Sequence, residues 1–158
     1  VTEWIKKKLM VLIKGERSSH WLALSFSVGA YIAFSPFIGF HTVMALAAIY
    51  FFHLNGAAVF TASLLINNPW TMVPVYSFDY IFGHWLCATL FPVNWVFENP
   101  WWMDWLNEPL VKYIGLPELS LWSFFVGGNV LGLIAAFVLY PVMYWIFARF
   151  IAMERISS

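Results

Sequence analysis

Ser35-Pro36-Phe37-Ile38-Gly39-Phe40-His41-Thr42 breaks a long apolar run, and Asn67-Asn68-Pro69-Trp70-Thr71 breaks it a second time. Proline and glycine stop a helix, and the polar residues beside them can satisfy the backbone groups that a stopped helix leaves open. Trp21 to Phe34 and His41 to His53 are each too short, at about 1.5 Å per residue, to cross roughly 30 Å of hydrocarbon. Each predicts a half-helix, and together they predict a re-entrant hairpin, entered and left on the cytoplasmic side, with its tip at Ser35 to Phe40. Asn55-Gly56 then turns the chain, Ala57 to Ile66 forms another short helix, and Asn67-Asn68-Pro69 halts it. From about Trp70 to Leu90 the chain runs toward the far side. Pro74 stands either in the first turns of that segment, where its missing N–H costs least, or at a kink.

Composition says what surrounds these breaks. The chain is 62% hydrophobic and only 10% charged, whereas roughly a quarter of a soluble globular protein is charged, and its mean hydropathy is positive. An all-α integral membrane protein of one domain is the class that fits, and Leu121 to Phe147 exceeds the roughly 20 residues that a span requires. Inside lipid, unwound backbone survives only where protein buries it or a polar cavity meets it. Broken helices of this kind are where transporters hold their substrates. Zero net charge gives no argument for nucleic acid. The single Cys87 reads as a small buried residue rather than a redox or metal centre.

The remaining segments follow from charge and aromatic placement. Over residues 1–16, Ile5, Leu9, Leu12 and Ile13 share one helical face and Glu3, Lys6, Lys7 and Lys14 another, as in an interfacial amphipathic helix or a positive-inside anchor. This end lacks the apolar core and cleavage site of a signal peptide, so it reads as mature protein. Residues 17–90 form the broken-helix core. Residues 91–120 read as an extracytoplasmic Trp-rich loop, with Trp95, Trp101, Trp102 and Trp105 as an interfacial belt, and 121–158 as the C-terminal transmembrane helix. Lys6, Lys7, Lys8, Lys14 and Arg17 precede the first apolar run and Arg149 and Arg155 follow the last, which puts both termini in the cytoplasm. Gly127, Gly128 and Gly132 place small residues on one helical stripe, suited either to an internal contact or to oligomerisation.

The stretch from Arg17 through Leu86 resembles the bacterial membrane family known as domain of unknown function two-zero-six-two. The likeness is carried by Pro36, Gly39 and His41, by Asn55, and by Asn68, Pro69 and Thr71, with Gly83 further on. Here His53-Leu54-Asn55 stands where the family pattern implies an arginine shortly before the asparagine. The resemblance implies a compact apolar domain in the bacterial inner membrane and no particular reaction.

A helix that begins in mid-membrane aims its free N–H groups and the positive end of its dipole at whatever precedes it. If the helix starts near His41 and Trp70 converge, they form a pocket for an anion such as a lipid phosphate, completed by Ser35, His41, Thr42, Asn67, Asn68 and Thr71. Pro36, Gly39, Asn55 and Pro69, the turn and motif residues, complete the candidate substrate-binding set. The competing assignment makes the asparagines and hydroxyls caps for the broken backbone and nothing more. His41, because histidine is the side chain suited to a neutral-to-charged switch, and Asp79, the one acid between Trp21 and Leu90, are the proton-coupling candidates. Asp79 and His84 lie five apart and share a helical face poorly.

No metal-ligand spacing, nucleophile elbow or Gly-rich phosphate loop is present, so no catalytic residue, metal or cofactor is expected. The expected function is a small inner-membrane transporter or flippase-like protein that binds an anionic lipid headgroup or small anion, with membrane lipids and further copies of itself as partners. The alternative is a structural or accessory subunit of a larger membrane complex.

Overall fold

The computed structural model describes residues 18–37, 39–90, 99–114 and 119–157, and within them the chain is all-helical. The expected amphipathic helix over residues 1–16 lies outside the described residues. Helix α1, Ser19–Phe34, starts where the Ser18 hydroxyl accepts from the Trp21 N–H. It ends at Ser35, whose extended backbone is the conformation that a following proline imposes. Gly39 at φ 86° and a tight turn from Phe37 to Phe40 then redirect the chain into α2, His41–Phe52. His53 closes α2 in the left-handed conformation.

Helix α3, Gly56–Ile66, is capped by Asn55, whose side chain accepts from the Ala58 N–H at 3.0 Å. The Asn55 N–H donates to Ser25 Oγ at 2.8 Å, and that hydroxyl donates to the Trp21 carbonyl at 2.6 Å. One buried serine thus fixes the α2–α3 turn to the middle of α1. Helix α4, Met72–Leu90, follows the second break. Helices α1, α2 and α3 thus end at the breaks, within two residues of the limits expected from the sequence.

The segment read as a loop before Leu121 contains a helix, α5, Trp101–Pro109, continued by a π-helical turn, Leu110–Ile114. Met103 and Asn107, four apart, are buried, while Trp101, Asp104, Trp105 and Glu108 are exposed, the spacing of an amphipathic helix. The expectation of an interfacial Trp-rich loop does not exclude a helix there. Asn107 and Asn99 each donate to the Leu119 carbonyl at 3.0 Å, and Asn99 also accepts from the Leu121 N–H at 3.1 Å. These bonds moor α5 at the start of α6, Leu121–Ser157. At 37 residues, α6 is about 55 Å long. Its Leu121–Met153 stretch is the one candidate among the described residues both long and apolar enough to cross a bilayer.

Helix α1 lies between α6 and α3, and α4 packs on α6. His20 bonds Tyr140 at 2.6 Å and Tyr31 donates to Asn129 at 2.7 Å, so α1 and α6 run antiparallel. The interior is built largely of small residues. Ala23, Ala30, Ala33, Ala58 and Ala62 are fully buried, with Leu22, Phe26, Val59 and Phe147 among them. The glycine stripe is an internal contact. A side chain on Gly83 would strike the Ser123 carbonyl, and one on Gly127 the Asp79 carbonyl, while Gly128 faces the end of α1 and Gly132 faces Tyr31. Large apolar side chains instead face outward, with Tyr50, Phe51 and Phe137 each more than 70% exposed.

Candidate functional site

The first break meets the second at His41. Its ring Nε2 lies 3.0 Å from the Ser35 carbonyl. A carbonyl only accepts, so Nε2 carries a hydrogen. The side-chain nitrogen of Asn67 stands 3.4 Å from Nε2 and donates to the Tyr76 hydroxyl at 2.9 Å. Because both nitrogens carry hydrogens, the longer approach is a contact rather than a bond. These three side chains draw together the start of α2, the end of α3 and the first turns of α4.

They surround a cavity of ≈ 190 Å³ lined by Gly39, His41, Thr42, Phe60, Ser63, Leu64, Asn67, Met72 and Tyr76. The start of α2 opens on this space, and among the described residues no side chain caps it. A helix start without a cap leaves first-turn N–H groups and the positive end of the dipole available to an anion. Gly39 lets the backbone turn tightly ahead of that start, at a φ that a side chain would strain.

The second break differs. Asn68 Oδ1 accepts from the N–H groups of Trp70 at 3.0 Å and Thr71 at 3.2 Å, and the Met72 N–H donates to the Asn68 carbonyl at 2.8 Å. Thr71 Oγ1 accepts from the Asn68 N–H at 3.1 Å and donates to the Ile66 carbonyl at 2.6 Å. The donors ahead of α4 are therefore used internally. Of the two open helix starts expected from the sequence, α2 is open and the start of α4 is closed by its own asparagine.

Gly39, His41, Thr42 and Asn67 lie in the cavity wall. Ser35 is buried beside it, its hydroxyl 3.6 Å from Met44 Sδ and its carbonyl on His41. Pro36 packs near Gly128, Asn68 and Thr71 are caps, and Pro69 is exposed. Asn55 does not join the site. It caps the opposite end of α3 from Asn67, about 16 Å away along an 11-residue helix. Asp79 is fully buried one turn beyond Tyr76, and neither carboxylate oxygen has a hydrogen-bond partner among the described residues. His84, on the same helix, stacks instead on Tyr80 with ring centroids 6.0 Å apart.

Sequence reasoning missed Phe60, Ser63, Leu64, Met72 and Tyr76. Ser63 could have been found, since it lies four residues before Asn67 on one face of α3. Tyr76 could not, because its place depends on how α4 crosses α3. The wall supplies N–H and O–H donors with apolar flanks and neither lysine nor arginine, which suits a weakly hydrated or partly buried anion better than a metal. Among the described residues, no three His, Cys, Asp or Glu side chains gather as a metal ion would require.

No curated protein and no solved structure matches the chain. A family model described as uncharacterized protein conserved in bacteria matches residues 2–155, well beyond the Arg17 to Leu86 stretch that carries the motif resemblance. With its Pro-x-x-Gly-x-His turn and its Asn-Pro-x-Thr break in place, the chain belongs to this bacterial family, DUF2062.

Proposed function

We propose that this protein is a multi-pass protein of the bacterial inner membrane that binds a phosphate-type anion between its two helix breaks and moves it as a transporter or flippase. The observation that carries this is the cavity where the breaks meet, a largely apolar pocket into which His41, Thr42, Ser63, Asn67 and Tyr76 bring polar groups, on a molecule whose outer surface carries large apolar side chains. An interior of alanine, serine and glycine with aromatics outside is what helix packing in lipid favours.

Dimensions support a re-entrant path. Leu121 to Tyr140 measures about 30 Å along α6, the thickness of a hydrocarbon core. Polar aromatics mark both ends, with His20, Trp21, Tyr140, Tyr144 and Trp145 at one and Trp122 at the other. The end of α1 lies against Gly128, about 10 Å short of Leu121 along α6. On this reading the α1–α2 hairpin turns inside the slab, as a re-entrant segment does, and Ser18 and Arg149 share the cytoplasmic side.

Binding to the full chain in a maltoside detergent, which carries no phosphate, tests the proposal by calorimetry. Dimethyl phosphate should bind, being the diester chemistry of a lipid headgroup. If inorganic phosphate binds and the diester does not, the ligand is a free anion. If neither binds, the cavity has no anion role. The self-capped second break favours the other reading, an accessory subunit that uses its breaks for packing, and that outcome would leave it standing.

A further inference from the structure

Asp79 has no part in the cavity wall, yet its environment requires an explanation. It is fully buried, and both of its oxygens lack a partner among the described residues. Among the described residues, no donor reaches either oxygen. From α6 it meets Gly127 and Gly128, and a methyl group built on Gly128 would stand 3.6 Å from Oδ2. That same point adjoins the Phe34 carbonyl, at the C-terminal and therefore negative end of α1. On its own helix, Tyr76, three residues earlier, is the titratable group near enough to interact with it. An ionised carboxylate so enclosed is costly. A proton on one oxygen removes the charge and creates a donor beside an acceptor. The close glycine contacts leave little space for a metal ion and its ligand shell, whereas a proton needs none.

We propose that Asp79 is a proton-binding site coupled to the cavity, taking up one proton when a phosphate-type anion binds and releasing it when the anion leaves. The coupling rests on the anion reading of the cavity. Tyr76 lines the cavity, and Asp79 is its neighbour on the surface of α4. An anion beside Tyr76 and an ionised Asp79 would be two negative charges about one helical turn apart in a medium of low dielectric. Binding one therefore favours neutralising the other. A single O–H bond forms at the carboxylate with a proton drawn from solvent, and nothing else is exchanged.

The test is calorimetry of dimethyl phosphate binding to the full chain in a phosphate-free maltoside detergent, in two buffers of different ionisation heat. The diester keeps one charge between about pH 5 and pH 8, a range in which an unperturbed aspartate is ionised. At any pH where Asp79 is ionised in the free protein, the wild type should take up as much as about one proton per anion, and its affinity should rise by up to about tenfold for each unit that pH falls. Asp79→Asn should bind with no uptake and no such slope. Wild-type binding without proton uptake overturns the coupling. Uptake retained in Asp79→Asn moves the proton elsewhere, with His41 next in line, and overturns it too.

Infrared difference spectra of the wild type over the same range need no variant to fold. They should show a carboxylic acid carbonyl band that appears on acidification, and its absence overturns the proton site. Failure of dimethyl phosphate to bind at all would instead remove the cavity reading and the coupling, while that band would still report the proton at Asp79.

Discussion

His41 and Asn68 lie on the two breaks but have separate tasks. Asn68 satisfies two backbone N–H groups with one oxygen and positions Thr71, whose hydroxyl holds the last turn of α3. Asn68→Ala should lower stability by about 1–2 kcal/mol, the usual cost of losing a side-chain cap, and Asn68→Asp should restore most of it. Thermal unfolding in nanodiscs measures both, and an unchanged midpoint in Asn68→Ala would show that the cap is dispensable. His41 is half-exposed at the cavity and bonds only a carbonyl at the turn. His41→Ala should therefore leave the unfolding midpoint nearly unchanged and weaken dimethyl phosphate binding about tenfold, the effect of one lost hydrogen bond to a charged group. Equal affinity in wild type and variant would take His41 out of the site. The sequence identified both residues because helix-stopping proline and glycine beside them act locally. It could not assign their tasks, since the same amide and hydroxyl chemistry serves a cap and a ligand equally.

At the scale of elements, the glycines of α6 determine how closely α4 can approach. Gly83 and Gly127 meet backbone against backbone, so neither neighbour can yield to an added side chain. Gly127→Val should force α4 away from α6 and cost on the order of 3 kcal/mol, with loss of the folded species on size-exclusion chromatography or a large fall in unfolding temperature. Gly132→Ala should cost less, because part of what its methyl meets is the Tyr31 ring edge at 3.0 Å, which can move. If Gly127→Val instead leaves each chain folded and only changes the oligomer mass, the stripe serves association between copies. The spacing of Gly128 and Gly132 was plain in the sequence, but the partner was not, because a small-residue stripe fits any close helix. Helix α5 shows the opposite difficulty. Its buried Met103 and Asn107 make an amphipathic pattern of only two turns, and Pro109 within it argues locally for a loop. What keeps it in place is the asparagine mooring at Leu119 and Leu121, a contact that no local pattern reveals.

For the whole molecule, the orientation of α6 makes one claim that does not depend on any ligand. Asn99 and Asn107 hold the α5 segment at the Leu121 end of α6, whereas Ser18 lies near His20, which bonds Tyr140 toward the other end, and Arg149 stacks over Trp145 at 3.8 Å beyond it. If α6 crosses a bilayer between Leu121 and Tyr140, α5 and the C-terminal turns must emerge on opposite faces. On the proposed topology, the lysines and arginines near both ends of the sequence would put the cytoplasm on the Tyr140 side. In a Cys87→Ser background, a cysteine at the exposed position Glu108 should react with an impermeant maleimide applied outside the cytoplasmic membrane. One at Met153 should react only after that membrane is opened. Labelling of both positions from the same side would mean that α6 does not cross, and the re-entrant hairpin measured against it would lose its frame. Reversal of the two would keep the crossing and overturn only the charge-based assignment of the cytoplasmic face. With the expected pattern, the end of α1 lies about 10 Å beneath the outer face, so a headgroup in the cavity would be reached from that side across a short distance.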